Sequence, residues 1–376
     1  MAAALAVVPV VTQALDWGSQ ATLTRQLSAG VVDGGHYLGW MLRRSAIFAA
    51  AASAGVAVVL ALGLPVLVGI GCALYLWALG VVQAARAWPQ VAQRFGVIAS
   101  GKFVGRAIAL AVTIVPLLLP AATVTAADLL PVGLAVGAAV EAVLLAHTWP
   151  RCSATHVSAR RMWRGGGRIG LASMLGMAQQ LDTAIVAAVA GAGQAGLYGA
   201  VSRWVAPLML PSLAVGEVLY PRMAATRGRN ALRSAAAGAA PALLLSLVGA
   251  ILATVASRPL TSLLLGPAYS ESAVVLTWLA LGTIPLMFAA PVFTLLVARG
   301  HDRRALASRG IGSGAALVGL PLLSGVWGAP GAAAAIGLGN TLFLIFSTVF
   351  AFGTLRGPAF SHGDGGRKSV GGDRCA

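Results

Sequence analysis

Apolar residues in this chain come in successive runs about twenty residues long, and that length limits the fold more than any other feature. About 20 helical residues cross the hydrocarbon core of a bilayer. Lipid offers the backbone no hydrogen-bond partners, so only helices and closed barrels span it. These runs are continuous rather than alternating, which selects helices. They fall at 2–22, 45–63, 66–86, 97–119, 129–149, 169–190, 195–220, 235–256, 273–297, 308–327 and 331–353, with the turn Gly63-Leu64-Pro65 dividing the second from the third. Composition agrees: 58% of the 376 residues are hydrophobic and 10% charged, where a water-exposed surface draws on about 25%. The 47 glycines suit close helix packing in lipid. The expected fold is an all-α polytopic membrane protein of about eleven transmembrane helices.

The basic residues test that count independently. Alternate loops collect 24 of the 26 lysines and arginines, the opposite loops hold Arg258 alone, and Arg203 lies within a span. Cytoplasmic loops carry the basic excess, so this alternation predicts a cytoplasmic C-terminus and places residue 1 outside. The net charge of +16 is then explained by basic loops and by anionic lipid or lipid-linked cargo, with no nucleic acid as partner. Residues 1–15 lack the charged start of a signal peptide, so the first apolar run reads as a span.

The halves repeat weakly. Arg44-Ser45-Ala46 parallels Arg233-Ser234-Ala235, Ala78-Leu79-Gly80 parallels Ala280-Leu281-Gly282, and Pro116-Leu117-Leu118 parallels Pro321-Leu322-Leu323. The shared order predicts two pseudo-symmetric bundles, 1–156 with five spans and 157–356 with six, followed by a polar, disordered cytoplasmic tail, 357–376. The 169–190 span has no counterpart in the first half, so a first N-terminal helix is expected to be lacking.

Residues 181–229 carry Asp182 late in one helix, a Gly-rich turn, Gly196-Leu197-Tyr198, Arg203, Pro207 and Leu219-Tyr220-Pro221-Arg222. This stretch resembles the seventh and eighth helices of bacterial polysaccharide (O-antigen type) flippases, in the multidrug/oligosaccharidyl-lipid/polysaccharide exporter superfamily. Leu15-Asp16-Trp17-Gly18 with Thr24-Arg25 is similar to the end of that family's second helix. The resemblance implies two six-helix bundles around a cavity that opens alternately to each side. It implies an undecaprenyl-diphosphate-linked oligosaccharide as cargo, the inner membrane as location, and polysaccharide polymerase or glycosyltransferase partners.

Ionisable groups inside a span are costly and therefore informative. Asp182 and Arg203 lie at similar depth, roughly 12 Å from the outer end of neighbouring helices. Either they neutralise each other, or Arg203 attracts an anionic diphosphate while Asp182 couples an ion. Gln179 and Gln180, candidate substrate contacts, belong to a polar stripe with Ser173, Gly176 and Thr183, which lines water or bonds another helix. Glu141 is mid-span with no local partner and is a second ion-coupling candidate. Arg106 shares a helix face with Lys102; Lys102 snorkels to the interface, whereas Arg106, deeper, is a candidate substrate contact. Asp16 and Glu217 are expected to pair with Arg25 and Arg222. The histidines and Cys72, Cys152 and Cys375 show no metal-ligand spacing, and neither cofactor nor catalytic residue is expected.

Three further readings stay open: a drug/cation antiporter of the same superfamily, a lipid II flippase, and a membrane glycosyltransferase or polymerase. The short outer loops disfavour the last, and the arginines tilt the first toward anionic cargo. No nucleotide-binding P-loop occurs, so energy is expected from an ion gradient or the membrane potential.

Overall fold

The computed structural model describes residues 2–61, 66–118, 125–158, 163, 166–225 and 229–356. Helices account for almost all of them, and no strand occurs among the described residues. They divide into two compact units, the first ending at Gly170 and the second beginning at Leu171.

Unit 1 contains α1 (Ala2–Asp16), α2 (Ser19–Ser28), α3 (Gly34–Ala61), α4 (Val66–Ala85), the single turn α5 (Ala87–Val91), α6 (Phe95–Ile114) and α7 (Ala126–Ala146), and the start of α8 (Gly167–Ala178). The expected span 2–22 is broken between α1 and α2. Trp17 and Gly18 both have positive φ, 44° and 74°, which a right-handed helix cannot contain. Gly18 also has no room for a side chain, since a Cβ there would sit 2.7 Å from the Gly170 nitrogen. Trp163 holds the break by donating from Nε1 to the Leu15 carbonyl at 3.1 Å.

Unit 2 contains the rest of α8, then α9 (Asp182–Ala190), α10 (Ala192–Ser202), α11 (Ala206–Ala225), α12 (Arg229–Val255), α13 (Ser257–Leu265), α14 (Ser272–Ala298) and α15 (Asp302–Arg356). Two more expected spans are interrupted here. The span 169–190 breaks at a turn of 3-10 helix, Gln179–Leu181, and 195–220 breaks at another, Arg203–Val205. Pro207 accounts for the second break: it lacks the N–H that would bond the Arg203 carbonyl, and its ring crowds that oxygen. The carbonyl accepts instead from Ala206 N–H.

Six helices among the described residues, within α3, α4–α5, α6, α7, α14 and α15, are long and apolar enough to cross a membrane; α12 and α13, bent by 73°, make a seventh if they form one span. The 52-residue apolar stretch of α15 is two spans folded back. At 1.5 Å per residue it would otherwise reach about 78 Å. The turn is Gly328 (φ 63°, ψ −140°), and Gln194 Oε1 accepts the following amide, Ala329 N–H, at 2.8 Å. Gly312 then lies against Gly339, and Gly319 against Ala335, the pairing of an antiparallel hairpin. The expected pair 308–327 and 331–353 is thus present.

Within each unit the same helix pair makes the same close contact. A Cβ on Gly105 of α6 would fall 2.6 Å from the Gly137 carbonyl of α7. A Cβ on Gly339 would fall 2.6 Å from the Gly312 carbonyl, between the two arms of α15. A broken span followed by four long ones runs through unit 1, and the same order, with α13 added, runs through unit 2 after α9. The fold class expected from the sequence is the one observed.

Candidate functional site

In unit 1, α4, α6 and α7 enclose a cleft lined by Tyr75, Arg86, Arg106 and Glu141 among apolar neighbours. Its volume, about 20 Å³, suits a single water. Glu141 has a partner that its sequence neighbourhood does not reveal: one carboxylate oxygen, Oε1, accepts from Arg86 Nε at 2.7 Å and Nη2 at 2.6 Å. The glutamate side chain is 8% exposed and the arginine 18%. Helix α6 makes room for it with glycine, because a Cβ at Gly105 would lie 3.3 Å from Glu141 Cβ. Arg106 is exposed at the cleft and makes no ion pair among the described residues. The cleft therefore holds two guanidiniums against one carboxylate.

A second charge centre was hidden in the sequence among loop residues. Arg44 lies ten residues into α3 and is 1% exposed. It donates from Nε to the Gly80 carbonyl at 3.0 Å, from Nη1 to the Asp16 carboxylate and to Ser19 Oγ at 3.1 Å, and from Nη2 to Gln83 Oε1 at 3.1 Å. Its guanidinium also sits 4.7 Å from the Phe48 ring centre and 5.3 Å from that of Trp40. Asp16 thus takes Arg44 in the interior, where pairing with Arg25 at the interface was expected. Every face of this arginine is occupied, so the centre is a packing element rather than a binding site.

In unit 2, Asp182 opens α9 just after the 3-10 turn, where the helix dipole favours negative charge. Its carboxylate accepts from the Tyr198 hydroxyl at 2.7 Å, from Thr183 Oγ1 at 3.1 Å and from Thr183 N–H at 2.6 Å. Arg203 is exposed and forms no ion pair with Asp182; the tyrosine occupies the place the sequence offered to the arginine. Gln179 donates to Ser313 Oγ of α15 at 3.4 Å. The Gln180 side chain is outside the described residues. Near Gln179, Arg309 packs against Gly176 and over the Phe343 ring at 4.8 Å. In the loop before α15, partial burial, with Arg304 and Arg299 adding repulsion, pushes the His301 imidazole below its usual pKa.

No group of three or more metal-ligating side chains is found among the described residues. Sequence reasoning missed Arg86, Arg44 and Tyr198 as partners. The first two read as positive-inside loop charges, and Tyr198 as part of a family motif without a role.

No protein-family model matches the chain, and no curated protein matches its sequence. Solved structures do. The Vibrio cholerae MATE transporter VcmN in its bent form aligns over 94% of this chain and 86% of its own, with a TM-score of 0.72 at 15% identity. An outward-facing multidrug resistance MATE family transporter of the MOP superfamily aligns over 93% and 84%, with a TM-score of 0.73 at 12% identity. A MOP superfamily transporter from Pyrococcus furiosus, described by the reverse polarity of its binding pocket, aligns over 93% and 85%, with a TM-score of 0.65 at 12% identity. The chain has the MATE transporter fold. It is a multi-pass membrane protein, and this is the fold of the superfamily its 181–229 motif resembles.

Proposed function

We propose that this protein flips an undecaprenyl-diphosphate-linked oligosaccharide across the cytoplasmic membrane by alternating access, with its C-terminus in the cytoplasm. The carrying observation is the pair of exposed arginines, Arg106 and Arg203, that have no carboxylate partner among the described residues. A diphosphate moving through low dielectric requires such unneutralised cations. A cation antiporter needs the reverse, a carboxylate open to its cargo, and three buried or part-buried carboxylates are engaged: Asp182 by Tyr198 and Thr183, Glu141 by Arg86 and Asp16 by Arg44. The MATE fold supports transport as the activity, and the 181–229 motif supports the polysaccharide cargo. The membrane potential supplies a drive of about 2.3 kcal/mol per charge per 100 mV. In this reading a polysaccharide polymerase and glycosyltransferases are the working partners.

The test is complementation of a flippase-deleted glycan-exporting strain with a matched glycan pathway. Surface glycan is scored against lipid-linked precursor trapped inside. The wild-type chain should restore export, and Arg203→Ala should lower it about tenfold or more at unchanged membrane abundance, the loss expected for a charged hydrogen bond. Stable insertion without any rescue would refute the flippase reading and turn attention to cation efflux.

A further inference from the structure

Helix α13 follows α12 after a bend of 73° and stands where no span needs it. The apolar run 235–256 is long enough to cross by itself, and α13, at nine residues, rises only about 13 Å. Its side chains fall into ridges four residues apart, each with its own surroundings. Ser257 and Thr261 are buried, and Ser257 Oγ lies within hydrogen-bonding distance, 3.0 Å, of Thr277 Oγ1 on α14. Arg258 and Ser262 are exposed. Pro259 and Leu263 are exposed as well, Leu263 by 83%; beside them Leu264 is 61% exposed and Leu260 half-buried. The small polar side chains thus face the protein and the leucines face away from it, the reverse of a helix packed on a water-soluble core.

From this arrangement we propose that α13 is a membrane-surface anchor. It lies in the boundary between headgroups and acyl chains, with Leu260, Leu263 and Leu264 among the chains and Arg258 and Ser262 among the headgroups. A spanning helix tilts about 20° from the bilayer normal on average, so the bend after α12 leaves α13 within about 40° of the bilayer plane. Continuity with α12 names the occupant of the leucine face. Leu244, Leu245, Val248, Ile251, Leu252 and Val255 are exposed along that span, where the surroundings are lipid, and exposed leucines resume past the bend. Charge agrees, because Arg258 stands at the edge of the leucine face, where its stem can follow the acyl boundary and its guanidinium can meet lipid phosphates. Tyr269, exposed just after α13, adds the kind of aromatic side chain that favours this depth. The partner is the phospholipid layer itself. The anchor does not depend on which cargo the protein carries.

The test attaches a nitroxide spin label to the full chain freed of Cys72, Cys152 and Cys375, held in nanodiscs of phosphatidylethanolamine and phosphatidylglycerol. Leu263→Cys, Ser262→Cys and, on α12, Leu245→Cys are labelled in separate samples. All three positions are exposed, so the labels leave the packing intact. Collisions with oxygen, which concentrates in lipid, are compared with collisions with a water-soluble nickel chelate. The Leu263 label should meet mainly oxygen and report a depth of about 5–10 Å below the phosphates, the range of interfacial helices. The Ser262 label, about 100° round the helix, should meet mainly the chelate. The Leu245 label should report lipid at greater depth. Chelate contact at Leu263 equal to that at Ser262 would put α13 in water and overturn the anchor. Low access of both reagents to Leu263 would mean that a second copy or another protein covers the leucine face. A Leu263 label as deep as Leu245 would make α13 a re-entrant segment. Absence of lipid contact at Leu245 would remove the surface that α13 continues. Each of these results overturns the proposal, and none of them bears on glycan export.

Discussion

At the scale of single residues, the chain separates charges that hold the fold from charges left available. Arg44 belongs to the first kind. Its pairing with Asp16 is buried, and both ions are hydrogen-bonded on several sides. Removing one partner of such a pair leaves an uncompensated charge and costs about 3–5 kcal/mol. Arg44→Met should therefore destabilise unit 1 by that order, seen as a lower thermal midpoint in detergent. The double variant Arg44→Met with Asp16→Leu should recover much of the loss, because two apolar side chains replace two desolvated ions. Additive losses in that double-mutant cycle would show that the ions do not interact. Spacing along the sequence could not reveal these pairs. Asp16 and Arg44 are 28 residues apart, Glu141 and Arg86 55 apart, and Asp182 and Tyr198 16 apart; each pair is made by the packing of separate helices.

At the scale of elements, hydropathy located the long helices well. The expected spans 66–86, 97–119, 129–149, 235–256 and 273–297 all overlie observed helices, and the division of α15 at Gly328 matches the gap between the last two. A window averaged over about 20 residues measures exactly the quantity that lipid selects. The same averaging hides a single turn of broken helix, so the interruptions at Trp17-Gly18, Gln179–Leu181 and Arg203–Val205 were missed. Pro207 was the one local signal for any of them. What the sequence also left unread is which of its 47 glycines matter. Gly105 and Gly137, like Gly312 and Gly339, face each other across a helix pair with no room for a methyl group, while Gly55 of α3 has open space around it. Gly137→Val and Gly339→Val should each destabilise by about 1–3 kcal/mol or more through overpacking. Gly55→Ala should leave stability unchanged or raise it by up to about 1 kcal/mol, since alanine favours helix. Chemical unfolding in detergent measures all three. A Gly137→Val protein as stable as the wild type would mean that α6 and α7 do not make the contact described.

At the scale of the whole molecule, the strongest sequence signal was the distribution of positive charge, and it makes a claim about sidedness that the fold alone does not. Helix α14 separates two short exposed segments of unit 2, one holding Ser270 and the other Arg303. Its 27 residues rise about 40 Å, enough to cross a bilayer. Arg299, Arg303, Arg304 and Arg309 cluster at the second end, against Arg258 alone at the first. Basic residues are retained on the cytoplasmic side during insertion, so the charge rule predicts a cytoplasmic Arg303 end and an outward-facing Ser270 end. In a chain freed of Cys72, Cys152 and Cys375, Ser270→Cys should react with a membrane-impermeant maleimide on intact cells. Arg303→Cys should react only after permeabilisation, although both positions are exposed. Labelling of both from outside would mean that α14 does not span, and the reverse pattern would invert the protein.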